Sequence, residues 1–257
     1  MHAPQSAILP VNTLLLAYRS GIFPMADSRD DTEVFWVEPR ERAIIPLERF
    51  RPSRSLARIV RADRYTITCN ADFAGVVEAC AAPRPDHPDT WINPVIAASY
   101  LALHHAGHAH SIECWQGGQM VGGLYGVSFN RVFCGESMFS TADNASKVAL
   151  TWLVALLRHA GFSVLDCQFM TDHLASLGAQ TITREAYLAL LEAACGDGFV
   201  ADLPAAHAQF SAGGVAAGSG VGEGVAAGAA AGVAEAAGAA TSSSPGKRIA
   251  QSFIHTS

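Results

Sequence analysis

Polar and apolar positions alternate through residues 111–115 around Ile112 and Cys114, the period of a half-buried strand. Gly117 and Gly118 then supply a two-residue hairpin turn, and residues 119–127 return as a second strand. Within that return, Gly122 and Gly123 predict a bulge or a close backbone approach. A turn around Asn130 leads to a third strand at 131–136, which ends in a Gly-Glu-Ser step. A helix follows from about Asn144, with Asn144 as its N-cap. Gly135 lets a ligand approach the backbone there, and Glu136 places a charge at the rim of an apolar sheet.

The rest of the chain reads as short alternating elements. Residues 12–19 form a helix capped by Asn12 and closed by Gly21, and 22–25 leave it extended. Segments 33–37 and 43–47 are strand-like and are separated by Pro39. Residues 53–62 give an amphipathic helix with Leu56, Ile59 and Val60 on one face and Arg54, Arg58 and Arg61 on the other. A strand at 65–69 precedes a helix capped by Asn70, whose buried stripe is Phe73, Val76, Val77 and Cys80. A proline-rich loop runs to Trp91, Pro94 opens the next helix and Gly107 ends it. After the central strands come a helix at 145–159, a strand at 163–168, a short helix at 172–177 and a last helix at 184–194. Such an order is α+β. Past about Leu203 the chain turns to Ala, Gly and Val, which lack the side chains to offset ordering, so 206–257 is expected to be a disordered tail.

Composition narrows the classes. Half of the 257 residues are apolar and a sixth charged, as in soluble globular chains. The six cysteines are scattered without a C-x-x-C pair, which predicts reduced thiols and a cytoplasmic protein. No basic leader precedes the Leu14–Leu16 run and no stretch is long enough to span a bilayer, so neither export nor a membrane is expected. The net charge of −6 argues against nucleic acid, but its distribution does not. Residues 40–64 hold eight arginines against three acids, a local +5, and the remainder carries −11. A basic segment on an acidic chain is the footprint of a phosphate-binding face.

The motifs VGGLYGV, FCGESMFS, NASKVAL and LDCQ…DHLASLGA resemble those of the leucyl/phenylalanyl-tRNA–protein transferases, in the same order, from about Leu14 to Leu190. The resemblance implies an acetyltransferase-like (GNAT) larger domain at 40–205, a small, reduced N-terminal domain at 1–39 and the tail beyond. It implies transfer of Leu, Phe or Met from aminoacyl-tRNA to proteins that begin with Arg or Lys, tagging them for degradation under the N-end rule. No cofactor is expected, since aminoacyl-tRNA is itself the substrate, and the protein is expected to be a monomer.

Candidate residues carry two readings each. Asp166 and Gln168 lie two apart on a strand, so both side chains leave one face. Alone they read as a hydrogen-bonded strand end; in the resemblance they are the catalytic pair, a carboxylate polarising an amide oxygen beside the attacking amine. Glu136 is either a solvated strand-end acid or, near Asp166, part of an acidic pocket for the cationic acceptor. Leu150, Leu153 and Leu157 recur at helical spacing, as core residues do. The resemblance makes them, with Leu124, Met138 and Leu165, a pocket for the transferred side chain. Trp91 is implied to stack on the terminal adenine, and Met25 stands where many relatives carry a second aromatic. Arg54, Arg58 and Arg61 are expected on tRNA phosphates. His104, His105, His108 and His110 are not read as a metal site, because Gly107 interrupts their helix. A small-molecule or protein N-acetyltransferase would need a glycine-rich phosphate loop, and residues 137–147 contain no glycine. A non-catalytic RNA-binding protein would explain the arginines but not Glu136, Asp166 and Gln168.

Overall fold

The computed structural model describes residues 8–83, 89–212 and 243–254. Helix α1 (Val11–Arg19) leads into a two-stranded antiparallel sheet of β1 (Phe23–Met25) and β2 (Phe35–Val37), followed by β3 (Glu41–Ile44). Then come α2 (Arg54–Arg61), β4 (Thr66–Cys69), α3 (Phe73–Ala81) and α4 (Pro94–His105). The meander of β5 (Ala109–Gln116), β6 (Gln119–Phe129) and β7 (Val132–Ser140) is followed by α5 (Ala145–Ala160) and β8 (Val164–Gln168). The remaining elements are α6 (Asp172–Ser176), β9 (Gln180–Thr183), α7 (Arg184–Cys195), α8 (Leu203–Ser211) and α9 (Pro245–Gln251).

Seven strands form one mixed sheet in the order β4-β5-β6-β7-β8-β3-β9. Neighbours are antiparallel except β7 and β8, which run parallel and are joined by the α5 crossover. Strand alternation feeds two cores. Leu124, Phe133 and Leu165 face α2, α5, α8 and α9, while Tyr125, Cys134 and Val164 face α1, α3, α4 and α7. Gly117 and Gly118 both have positive φ, at 59° and 79°, and close the β5–β6 hairpin as expected. The expected close approach falls at Gly122, where a Cβ would lie 2.5 Å from that of Ala145, so α5 starts hard against β6. The bulge sits one residue earlier, because Cys114 pairs with Gly122 and Trp115 with Met120, leaving Val121 extra.

Several caps differ from expectation. Pro10, not Asn12, precedes α1, and its ring fixes a suitable φ without a side-chain bond. Asn70 is occupied in tying β4 to β5 through the Ser111 N–H (3.0 Å) and His110 (3.0 Å). Asp72 caps α3 instead, through the Gly75 N–H. Asn144 stands at the N-cap of α5 without a side-chain bond, and Ser140 Oγ accepts the Ser146 N–H in its place. Strand β9 was not legible in the sequence.

The tail boundary also needs correction. Helices α8 and α9 fall within or across 206–257, and Ile249, Ala250 and Phe253 are buried in the α5 core. The Phe253 ring lies 5.7 Å from that of Phe50 and under the Arg158 guanidinium. A few large apolar side chains at either end of the low-complexity run suffice to dock it, which average composition conceals. The run itself, 213–242, lies outside the described residues. No described helix is long and apolar enough to cross a membrane.

Candidate active site

The site begins where β7 and β8 part. They pair at Val132/Val164, Phe133/Leu165 and Cys134/Asp166, and then the ladder stops. Strand β7 continues with β6 to Ser140, while β8 turns to β3. Between them opens a cavity of about 210 Å³ lined by Leu124, Met138, Leu150, Leu153, Leu165 and Cys167, with Glu136 among its polar residues.

A bulge delivers Glu136. Tyr125 pairs with Ser137 and Gly126 with Gly135, so Glu136 is the unpaired residue of β7, and its side chain is re-aimed. It is no solvated rim charge, being 9% exposed. Tyr18 donates to Oε1 at 2.8 Å, and Tyr100 and Gln168 Nε2 donate to Oε2 at 2.7 and 3.0 Å. Burial pushes the Glu136 carboxyl up to about 7, against the pull of these three donors. Burial, and then the charge of Glu136, holds the phenols of Tyr18 and Tyr100 well above their ordinary range, so both remain donors.

Asp166 is fully buried and saturated with donors. Arg42 meets it in a bidentate pair, Nε to Oδ1 at 2.8 Å and Nη2 to Oδ2 at 2.6 Å, and Tyr187 donates to Oδ2 at 2.9 Å. Burial would lower the pKa of Arg42, but Asp166 outweighs it and the guanidinium stays charged. It also contacts the Gly21 carbonyl and lies between the rings of Phe23 and Tyr187. Arg42, 1% exposed, therefore does not belong to the basic face.

The relation of Asp166 to Gln168 differs from expectation. Asp166 Oδ1 accepts the backbone N–H of Gln168 at 2.8 Å, and the two side chains do not bond. Gln168 has φ +62°, a left-handed conformation that a non-glycine residue adopts at a cost of about 1–3 kcal/mol. That turn at the strand end directs the amide to Glu136 instead. The acidic pocket is also smaller than expected, because Arg42 neutralises Asp166 and leaves Glu136 as the uncompensated acid.

Leu157 lies outside the cavity, in the core and fully buried. It is seven residues past Leu150, about 10 Å farther along the helix axis. Trp91 is half-buried, its ring set edge-on to Tyr100 at 6.4 Å, one residue removed from Glu136. Met25 is half-buried opposite Phe35 in the β1–β2 ladder. Helix α2 buries Leu56 and Val60 and exposes Arg54, Arg58 and Arg61. His104 stacks on Phe73 and His110 bonds Asn70; no described cluster is arranged to hold a metal ion. Sequence reasoning missed Tyr18, Tyr100, Tyr187 and Arg42. The tyrosines look like core aromatics, and the one signal for Arg42 was a charge entering the apolar run 43–45.

The family model described as leucyl/phenylalanyl-tRNA protein transferase matches residues 44–192, and the model of that family's N-terminal domain matches 8–40. A curated leucyl/phenylalanyl-tRNA–protein transferase of Novosphingobium aromaticivorans is 58% identical over 256 residues, covering 97% of each chain. Those of Rhizorhabdus wittichii and Zymomonas mobilis are 60% and 59% identical, over 71% and 70% of this chain and 74% and 68% of theirs. Among solved structures, L-PGS from Bacillus licheniformis matches with a TM-score of 0.35 at 12% identity, over 64% of this chain and 55% of that one. A likeness that weak has no bearing on function.

Proposed function

The chain belongs to the leucyl/phenylalanyl-tRNA–protein transferase family, and from that premise we propose how this site performs the aminoacyl transfer that defines it. The protein is an aminoacyltransferase: a protein's α-amine attacks the ester of aminoacyl-tRNA. A C–N bond forms, the ester C–O bond breaks, and the departing ribose oxygen takes up the proton that the nitrogen gives up. The ester is already activated, so the reaction calls for positioning more than for a strong base and needs no cofactor.

The observation that carries the assignment is the Glu136–Gln168 contact at the cavity. Gln168 donates its amide N–H to Glu136, which pushes electron density onto its Oε1. That oxygen accepts no hydrogen bond among the described residues and is the acceptor for the attacking N–H. The relay of carboxylate and amide is thus kept, with Glu136 in the place expected of Asp166. Asp166 fixes the backbone of Gln168. Glu136, the uncompensated acid, favours acceptors whose first residue is Arg or Lys. The cavity takes an apolar side chain that is not branched at Cβ, that of Leu, Phe or Met, on the donor. The parting of β7 and β8 around α5 supports reading the larger body as acetyltransferase-like.

Purified protein mixed with leucyl-tRNA and a peptide beginning with Arg is expected to yield that peptide extended by Leu, read by mass. A peptide beginning with Asp should not be extended. Failure to extend the Arg peptide removes the proposal. The exposed arginines of α2 are read as phosphate contacts. Changing Arg54, Arg58 and Arg61 together to Ala should raise the KM for leucyl-tRNA and flatten its log–log salt dependence by up to about one unit per lost contact. An unchanged slope in the folded triple variant would exclude that face.

A further inference from the structure

One turn ahead of the cavity's lining on α5 stands a charge, that of Lys147, which the chemistry above leaves unused. Lys147, Leu150 and Leu153 follow on α5 at steps of three residues, roughly one turn and ~4.5 Å of rise each, so they share a stripe of the helix. The two leucines are buried and line the cavity, whereas Lys147, nearest the start of the helix, is half-buried. The stripe therefore runs from a half-buried cation one turn ahead of the lining to apolar side chains within the cavity. Facing it, the segment after β8 adds Thr171, His173 and Leu174 to the lining. Burial, and then the charge of Lys147, lowers the pKa of His173, so its ring is a neutral N–H donor within the field of the ammonium. Among the described residues no carboxylate pairs with Lys147. A cation that no acid pairs with, near enough to the His173 ring for its charge to be felt there, suits an anion.

The donor supplies one. An aminoacyl ester with its side chain in the cavity leaves its ribose at the mouth, and the nearest negative charge is the 5′ phosphate of that same nucleoside. We infer that Lys147 and His173 bind the terminal phosphodiester of the donor tRNA, Lys147 through its charge and His173 through an imidazole N–H. This rests on the transferase reading and adds a positioning site to it, separate from the arginine face of α2. The contact sets how far the ester can slide along the cavity, and so aligns its carbonyl with Gln168.

The test compares two donors, leucyl-tRNA and 3′-O-leucyl-adenosine, which lacks the phosphate. Lys147→Met keeps length and helix propensity but removes the charge. It is expected to raise the KM for leucyl-tRNA about tenfold at low ionic strength and to flatten its log–log salt slope by about 0.7, the single-strand value for one contact. The KM for leucyl-adenosine should not move, and Lys147→Arg should restore both readouts. An unchanged salt slope overturns the inference, as does a KM for leucyl-adenosine that rises in step with that for leucyl-tRNA. A wild-type protein inert toward both donors would remove the transferase reading, and this inference with it.

Discussion

Asp166→Asn is expected to lower folding stability by about 3–5 kcal/mol and to abolish most of the transfer activity. The amide has a single oxygen, so it can accept from the Gln168 backbone or from Tyr187 but not from both, and it leaves the Arg42 guanidinium buried without a counter-charge. Urea denaturation measures the first effect and steady-state transfer the second. The double variant Arg42→Met/Asp166→Asn separates them. With no buried cation left, it should regain much of the stability, and it should regain little kcat if Asp166 also holds Gln168 in its left-handed turn. Recovery of stability and activity together would mean that Asp166 acts on catalysis only through the fold. A single variant as stable as wild type would contradict the buried pair.

Glu136→Gln is expected to act in opposite directions on stability and on catalysis. An ordinary glutamate gives up its proton near 4.5, and the buried Glu136 near 7. Between those values the folded chain keeps a proton that the unfolded chain has lost. Stability therefore falls as pH rises from about 4.5 to about 7, and the full penalty, on the order of 3 kcal/mol, applies above that. The Gln variant carries no such penalty. It should be more stable than wild type at pH 8, with the advantage gone at pH 4.5. Its kcat/KM for an Arg-initiated peptide should fall by about a hundredfold, and the activity limb that rises near neutral pH in wild type should disappear. A Gln variant that is less stable at pH 8, or one with undiminished transfer, would show that Glu136 is not the uncompensated acid of the site.

The legible parts of this protein were those written locally. The strand at 111–115, the paired glycines of the β5–β6 turn and the arginine stripe of α2 each depend on neighbours within a few residues and appear where the pattern put them, although β5 is buried on both faces, Ser111 and Glu113 as fully as Ile112 and Cys114. Five of the six apolar pocket residues also line the cavity. Leu157 does not, because helical spacing fixes a face but not how far along the axis a cavity extends. What could not be read was partnership across distance. Asp166 and Gln168 were placed together by their spacing, yet the contact that matters joins Gln168 to Glu136, 32 residues away. It exists because a bulge re-aims one residue and a left-handed φ re-aims the other, and neither leaves a mark in the sequence. Arg42 shows the same gap, since counting charge could not tell a buried counter-ion from an exposed phosphate ligand.

The span of these partnerships bears on how the protein comes into being. Tyr18 reaches Glu136 across 118 residues, Arg42 reaches Asp166 across 124, and Tyr187 closes on Asp166 from beyond the last strand of the crossover. Loops of that length carry an entropic cost that is met only when many contacts form together, and such topologies fold slowly. On the ribosome, a nascent chain lacking Tyr187 would have every candidate catalytic group already synthesised, with Asp166 still short of one of its donors.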